Sequence, residues 1–319
     1  MLGVSQSTVS RAFSSTASIS DKKRKIVKDA AEKLGYSPNA IARSLISNRT
    51  GLIAIALDYE SNPMYQEQVR ALSLEIQKRN GQVILSPIQQ DDLDSAINRA
   101  IEYQVDGLII ATSRLTSNAF AKCEKFGVHL CLINRYVEGI NANSVGLDNL
   151  LAGEQAANHL LSKGLKKMLY VSGEPGTLTS DLRWKGFSQT LAARGCSAPA
   201  YINAKYNFNA GIKAAAEIIK LPDKPDAIFC ATDILALGVM DGLRASGIRI
   251  PEDCAIIAVD DIEMSCWLSY NLTTIKQPID KISELAVNDL MNRVDNNNDA
   301  ERIYLLEKGT LIERGSTNI

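Results

Sequence analysis

From Leu52 onward, short apolar runs alternate with longer amphipathic stretches, and this alternation constrains the fold more than any other feature. Runs at 52–57, 82–86, 107–111 and 129–133 have the length and uniform apolarity of strands buried on both faces. The segments between them, 65–80, 92–104 and 116–126, carry helical spacing. A strand–helix repeat forces a parallel sheet with helices on both faces, because parallel neighbours need a long crossover. A second set follows, with runs at 168–172, 227–231 and 255–259 and helices near 150–163, 179–194, 209–220 and 233–246. The fold class is therefore α/β, with two doubly wound parallel-sheet lobes. A final helix near 279–294 and strands near 303–307 and 311–313 are assigned to the first lobe, with crossovers near 148–150, 276–279 and 297–302. Ligands in such sheets bind outside the carboxyl ends of the strands.

Ahead of the lobes lies a different kind of chain. Residues 1–50 hold nine Lys/Arg against three Asp/Glu, a net +6. The remainder holds 26 Lys/Arg against 33 acids, a net −7. A basic head on an acidic body is the footprint of a nucleic-acid binder. Gly3-Val4-Ser5 reads as a turn with Ser5 as N-cap. Val4 and, in the short helix that follows, Val9 and Phe13 are expected to face inward and Gln6, Ser7, Ser10 and Arg11 outward. Ser20-Asp21 starts a second helix with an inner stripe of Ile26, Val27, Ala30, Ala31 and Leu34, and Gly35 ends it.

Composition excludes several classes. No apolar run reaches the roughly 18 residues of a membrane span. The N-terminal residues do not form a basic segment followed by an apolar one, so a cytoplasmic protein is expected. The six cysteines (123, 131, 196, 230, 254, 266) form no C-x-x-C pair, and there are two histidines, so neither a metal site nor a cofactor is expected.

Two stretches carry a family resemblance. Val4-Ser5-x-x-Thr8-Val9-Ser10-Arg11 and Leu34-Gly35-Tyr36-x-Pro38-Asn39-x-x-Ala42-Arg43-Ser44-Leu45 resemble the head and hinge of the lactose-repressor/galactose-repressor (LacI/GalR) family of bacterial transcriptional regulators. The resemblance continues through Asn62-Pro63-Met64-Tyr65, Asp106-Gly107-Leu108-Ile109, Val145-x-x-Asp148-Asn149, Arg183-x-x-Gly186-Phe187, Ala231-Thr232-Asp233, Asp260-Asp261 and Gln277-Pro278. It covers essentially 3–295. Where the family usually has Gly-Phe/Tyr before the acidic pair, Ala258-Val259 stand here. The family also has a helix ahead of the turn; this sequence starts at the turn, and an upstream segment is expected.

The resemblance implies a partial helix-turn-helix head over 1–36, a hinge helix over 37–49, a first lobe of 50–149 plus 278–319, and a second lobe of 150–277, in a periplasmic-binding-protein-like core. It implies base-reading roles for Gln6, Ser7 and Arg11 and phosphate contacts for Ser5 and Ser10. In the hinge it places Asn39 and Ala42 against DNA and Leu45 as a wedge in the minor groove. It further implies that Arg183, Asp233, Asp260 and Gln277 contact an effector, with Asp148 beside them and Met64 and Tyr65 on the first-lobe lip. Tyr206, or Phe208 in its place, would stack on the ligand ring. Arg135 is a weaker cleft candidate.

The function so implied is a repressor that binds a palindromic operator as a homodimer and is switched by a sugar or related metabolite. Three rivals stand beside it: a solute-sensing core whose head does not bind DNA; a sugar-binding protein serving a transporter, which residues 3–45 argue against; and a glycosidase using Asp233 and Asp260 as its acid pair, which no nucleophile–base pair, metal set or phosphate loop supports, so no enzymatic activity is expected.

Overall fold

The computed structural model describes residues 3–13, 18–36, 49–57, 62–88, 92–111, 117–136, 142–173, 176–296 and 304–319. The chain divides into two compact units, Met1–Gly51 and Leu52–Ile319.

In the first unit, α1 (Gln6–Phe13) and α2 (Asp21–Lys33) form a two-helix contact. Ser5 caps α1, its hydroxyl accepting from the Thr8 N–H at 3.3 Å. Gly3 and Gly35 both adopt φ +61°, and beyond α2 the Tyr36 N–H bonds back to the Ala31 carbonyl at 2.8 Å. Arg24 ties the helices by donating to the Ala12 carbonyl at 3.2 Å. Ala12, Val27 and Ala31 are buried, whereas Val4, Ile26 and Leu34, all expected to face inward, are exposed. The expected inner stripe is thus narrower than its periodicity suggests. One short facing helix covers only the centre of α2, and the flanks of the stripe meet solvent. The hinge residues Asn39, Ala42 and Leu45 lie outside the described residues.

The second unit holds two six-stranded sheets. The first contains β1 (Leu52–Leu57), β2 (Gln82–Pro87), β3 (Gly107–Ala111), β4 (His129–Ile133), β5 (Asn143–Leu147) and β11 (Tyr304–Glu307) in the order β11-β5-β4-β3-β1-β2, all parallel. Helices α3 (Met64–Lys78), α4 (Leu93–Glu102) and α5 (Ser117–Lys125) connect these strands, and α10 (Ile279–Asn296) packs on α3, β4 and β5. The second sheet contains β6 (Met168–Ser172), β7 (Ala200–Asn203), β8 (Ala227–Cys230), β9 (Ala255–Asp260), β10 (Thr273–Lys276) and β12 (Thr310–Ile312) in the order β12-β10-β9-β8-β6-β7. Its helices are α6 (Asn149–Ser162), α7 (Leu178–Ala193), α8 (Phe208–Lys220) and α9 (Asp233–Ala245). Apolar clusters fill both faces of each sheet. Among the described residues, no helix is long and apolar enough to cross a membrane.

One assignment made from the sequence is corrected. The strand at 310–312 belongs to the second sheet, not the first: β12 pairs antiparallel with β10, Thr274 opposite Ile312. The chain after it stays there, because the Ser316 hydroxyl donates to the Ile256 carbonyl at 2.6 Å and Arg314 donates to Asp261 at 2.6 Å. The final segment therefore visits the first sheet at β11 and finishes on the second. Strands β5, β7 and β10 went unrecognised as strands because Asn143, Asn203 and Thr273-Thr274 interrupt or bound their apolar residues.

One close approach positions the site. Helices α6 and α7 cross at Gly153 and Gly186, where an added Cβ would fall 2.1 Å from the Arg183 carbonyl and 2.0 Å from the Leu150 carbonyl, respectively. This contact fixes α7, and with it Arg183, against the helix that begins at the interlobe crossover.

Candidate functional site

A small cavity of about 60 Å³ lies between the carboxyl ends of the two sheets. It is lined by Asn62, Met64, Tyr65, Asn134, Thr179, Arg183, Tyr206, Thr232, Asp260 and Gln277. Asp260 is the last residue of β9, and the others lie in the loops or first helical turns that follow strands. The first-lobe side comes from the segments after β1 and β4, and the second-lobe side from those after β6, β7, β8, β9 and β10.

Arg183 is buried in the first turns of α7. Its Nε donates to Asn149 Oδ1 at 2.8 Å, and its Nη1 donates to the Ala231 carbonyl. Asn149 in turn donates to the Leu147 carbonyl at 3.0 Å, so the guanidinium is held by the crossover itself. Asp260 ends β9 with φ +137° and is 2% exposed. A non-glycine residue in that region costs on the order of 1–3 kcal/mol and persists only where its surroundings impose it. Here Gln277 Nε2 donates to Oδ1 at 2.6 Å and Asn62 Nδ2 donates to Oδ2 at 3.0 Å. Asn134 Nδ2 donates to Gln277 Oε1 at 3.3 Å, giving a second amide bridge between the lobes. Burial raises the Asp260 pKa, opposed by the Arg183 charge and by the Asn62 and Gln277 donors.

Tyr206 lies over the cavity because Gly173 leaves room for it: a Cβ there would sit 2.1 Å from the ring. The Tyr206 and Thr177 hydroxyls are 3.1 Å apart. Met64 packs into the apolar cluster of the second lobe, while Tyr65 touches clusters of both lobes.

Of the expected effector residues, Met64, Tyr65, Arg183, Tyr206, Asp260 and Gln277 come together here. Three do not line the cavity. Asp233 is fully buried beneath it, its carboxylate accepting from Thr274 Oγ1 at 2.5 Å, Ser265 Oγ at 2.6 Å and the Ile262 N–H at 3.0 Å. Those donors occupy both oxygens, so the acid pair invoked for a glycosidase does not face a common substrate space. Burial, then the Asp260 charge, push the Asp233 pKa up. Asp148 is the N-cap of α6, accepting from the Leu151 N–H at 2.9 Å. Phe208 packs into the cluster around α8 and α9. Arg135 is half-buried beside the lining; burial lowers its pKa, and Tyr65 and Tyr206 are its electrostatic neighbours.

Sequence reasoning missed Asn62, Asn134, Thr179 and Thr232 as lining residues. The rule that ligands meet the residue just past a strand would have found Asn134 after β4 and Thr232 after β8. The family resemblance selected Asp233, one residue further on, instead.

On the head, Ser5, Gln6, Ser7, Ser10 and Arg11 are all exposed. Arg11 folds back on its own helix, its Nε donating to the Ser7 carbonyl at 3.2 Å. Among the described residues, no group of three His, Cys, Asp or Glu side chains is placed to hold a metal ion.

Comparison with known proteins agrees with this division. Residues 157–317 match the periplasmic binding protein-like domain, and residues 2–39 match the bacterial regulatory proteins, lacI family. The ribose operon repressor of Escherichia coli (strain K12) is 28% identical over 322 residues, covering 99% of this chain and 97% of that protein. The HTH-type transcriptional repressor PurR of Aliivibrio salmonicida is 29% identical over 310 residues, covering 95% and 93%. Among solved structures, the lac repressor dimer bound to operator and the anti-inducer ONPF matches with a TM-score of 0.86 at 23% identity, covering 99% of this chain and 96% of that one. A LacI family transcriptional regulator from Enterococcus faecium with bound ribose matches with a TM-score of 0.77 at 25% identity, covering 83% and 98%. With a lacI-type head in front of a periplasmic binding protein-like core, the chain belongs to the LacI family of bacterial regulatory proteins.

Proposed function

We propose that the protein is a transcriptional repressor that binds a palindromic operator as a homodimer in the cytoplasm and is switched by a sugar or sugar derivative held between its lobes. The observation that carries the effector half is the pair of amide bridges across the cavity, Asn62 to Asp260 and Asn134 to Gln277. A ligand at this point touches both lobes at once, so its affinity depends on how far they are closed. An effector shifts a conformational equilibrium only through such differential affinity. At about 60 Å³ the cavity as it stands is far below the roughly 300 Å³ at which small-molecule pockets begin. A monosaccharide enters only when the bridges part, and its hydroxyls then replace them.

The proposed effector residues are Met64, Tyr65, Arg183, Tyr206, Asp260 and Gln277, with Asn62, Asn134, Thr179 and Thr232 completing the wall. Asp233 supports from below, Asp148 caps the crossover helix, and Phe208 packs. The proposed DNA contacts are Gln6, Ser7 and Arg11 to bases, Ser5 and Ser10 to phosphates, and Asn39, Ala42 and Leu45 from the hinge. The relatives named as repressors support this assignment.

The test has two arms. Thermal unfolding is followed across D-ribose, D-galactose, D-glucose, their acids and phosphates, and free nucleobases; a ligand selective for the folded state raises the midpoint with concentration. Operator fragments selected from a random library are then titrated with the protein at low and physiological salt, with and without the ligand found. A sugar that moves the midpoint and changes operator affinity supports the proposal; operator binding indifferent to every stabilising ligand would overturn the switch.

A further inference from the structure

We propose that the effector carries an acidic oxygen group, a carboxylate or a phosphate, on a polyhydroxylated body; this deepens the reading of the cavity as an effector site and rests on it.

The cavity leaves donors unpaired. Its carboxylate and amide acceptors already have protein donors. Asp260 takes Gln277 on one oxygen and Asn62 on the other, at 2.6 Å and 3.0 Å. Asn62 Oδ1 takes the Met64 N–H at 3.0 Å, Asn134 Oδ1 takes the Leu147 N–H at 2.8 Å, and Gln277 Oε1 takes Asn134.

The donors are not used up in the same way. Arg183 spends Nε on Asn149 and Nη1 on the Ala231 carbonyl, and its Nη2 bonds to nothing among the described residues. Thr232 is 4% exposed, and its hydroxyl is buried without a hydrogen-bond partner. Leaving such a group unsatisfied is costly, and a ligand atom relieves that cost. The Arg135 side chain makes no hydrogen bond or ion pair among the described residues, and its electrostatic neighbours Tyr65 and Tyr206 both line the cavity.

Two helix N-termini add to this. Thr179 lies in the first turn of α7, and Thr232 is the N-cap of α9. Free N–H groups and the helix dipole favour anionic oxygen at such ends.

Widening the cavity does not alter the balance. Each amide bridge that parts frees one donor and one acceptor, so the donor surplus on Arg183 and Arg135 remains, and the Thr232 hydroxyl is free to donate to the same anion. A neutral sugar offers donors and acceptors alike, whereas a carboxylate or phosphate is acceptor-only when ionised and pairs with an arginine fork.

The test uses the full chain at neutral pH and physiological salt, with matched probes: D-galactose against D-galacturonate, D-glucose against D-gluconate, and D-ribose against D-ribose 5-phosphate. Titration calorimetry is expected to show the acidic member of at least one pair binding about tenfold tighter or more. The carboxylate and phosphate arms separate the two acid types. Arg135→Gln and Thr232→Val should each remove most of that preference; Thr232 makes no side-chain cap bond, so the valine keeps the fold. Neutral members that bind as tightly as their acids would overturn the inference and leave the effector site standing. Acid binding untouched by both substitutions would place the anion on the basic head and also overturn it. Silence from every probe would overturn the effector reading and this inference together.

Discussion

Asn62 of the first lobe donates to Asp260 of the second at 3.0 Å, and Asp260 accepts it from a backbone conformation, φ +137°, that few non-glycine residues adopt. The strand β9 ends at this residue, and Asp261 behind it, at φ +61°, is tied down by Arg314 at 2.6 Å and Lys276 at 3.3 Å. The carboxylate is therefore aimed across the cleft by backbone strain on one side and ion pairs on the other. Arg183 reaches the same space from a helix locked at Gly186.

If this bridge helps set the closed state, replacing its donor with a second acid should open the cleft. Asn62→Asp keeps an acceptor for the Met64 N–H but sets one carboxylate against another. The expected outcome is a larger radius of gyration in solution scattering without ligand, and effector binding weaker by about tenfold to a hundredfold, corresponding to roughly 1.4–2.8 kcal/mol. Unchanged scattering and affinity would mean that the bridge reports closure without contributing to it.

Buried Asp233 and Asp260 give the core a pH dependence. Burial first and mutual repulsion second hold Asp233 up to about 7, and burial raises Asp260 as well. The folded state thus holds these protons more tightly than the unfolded chain does. The stabilisation is fully present below the ordinary carboxylate pKa and is lost as pH climbs through about 7. The unfolding midpoint should fall by several degrees between about pH 5 and about pH 8. Asp233→Asn should flatten that slope, because an amide keeps an acceptor for the Ile262 N–H and carries no titrating proton. A slope equal in both proteins would show that the pair does not govern it.

The parallel sheets were legible because residues such as Ile53 to Leu57 and Ile256 to Val259 are apolar on both faces, a pattern little else produces. Of the strands that escaped recognition, β7 is a largely exposed edge strand, while β5 and β10 bury polar side chains whose partners lie far along the chain. Asn143 accepts from Arg293 at 2.5 Å, and Thr273 is 2.8 Å from Thr317. No local pattern reveals such pairings. The same holds in the site. Arg183 and Asp260 were legible from strand ends and motif, but whether Asp233 faced the cleft or the core depended on Ser265 and Thr274, which fold under it. The destination of β12 was set by Arg314 and Ser316, whose partners lie 53 and 60 residues away.

The crossing of α6 and α7 predicts a second kind of failure. Gly186→Ala would place a methyl group 2.0 Å from the Leu150 carbonyl, and backbone cannot yield as a side chain can. The helices must separate, at a cost of about 1–3 kcal/mol by comparison with overpacked cores. That displaces Arg183 from Asn149. The expected result is a lower unfolding midpoint together with weakened effector binding. A midpoint that falls while ligand affinity stays constant would show that Arg183 keeps its place without this contact.

On the proposed reading, the head carries two separable electrostatic tasks. Arg11 lies on α1, and its guanidinium is lightly held, by Ser7 Oγ at 3.4 Å and the Ser7 carbonyl. Such a side chain can leave its own helix for a base edge at little cost. The exposed Lys22, Lys23 and Lys25 lie at the start of α2 and suit phosphate. Arg11→Ala should therefore cost about 1–3 kcal/mol on a selected operator and relax the preference at one base position. Lys23→Ala should weaken selected and random duplexes alike and reduce the slope of log affinity against log salt by about 1. Anisotropy titrations of both variants on both duplexes, at several salt concentrations, separate these behaviours. An Arg11 variant that loses selected and random DNA equally would reassign that residue from base reading to backbone contact.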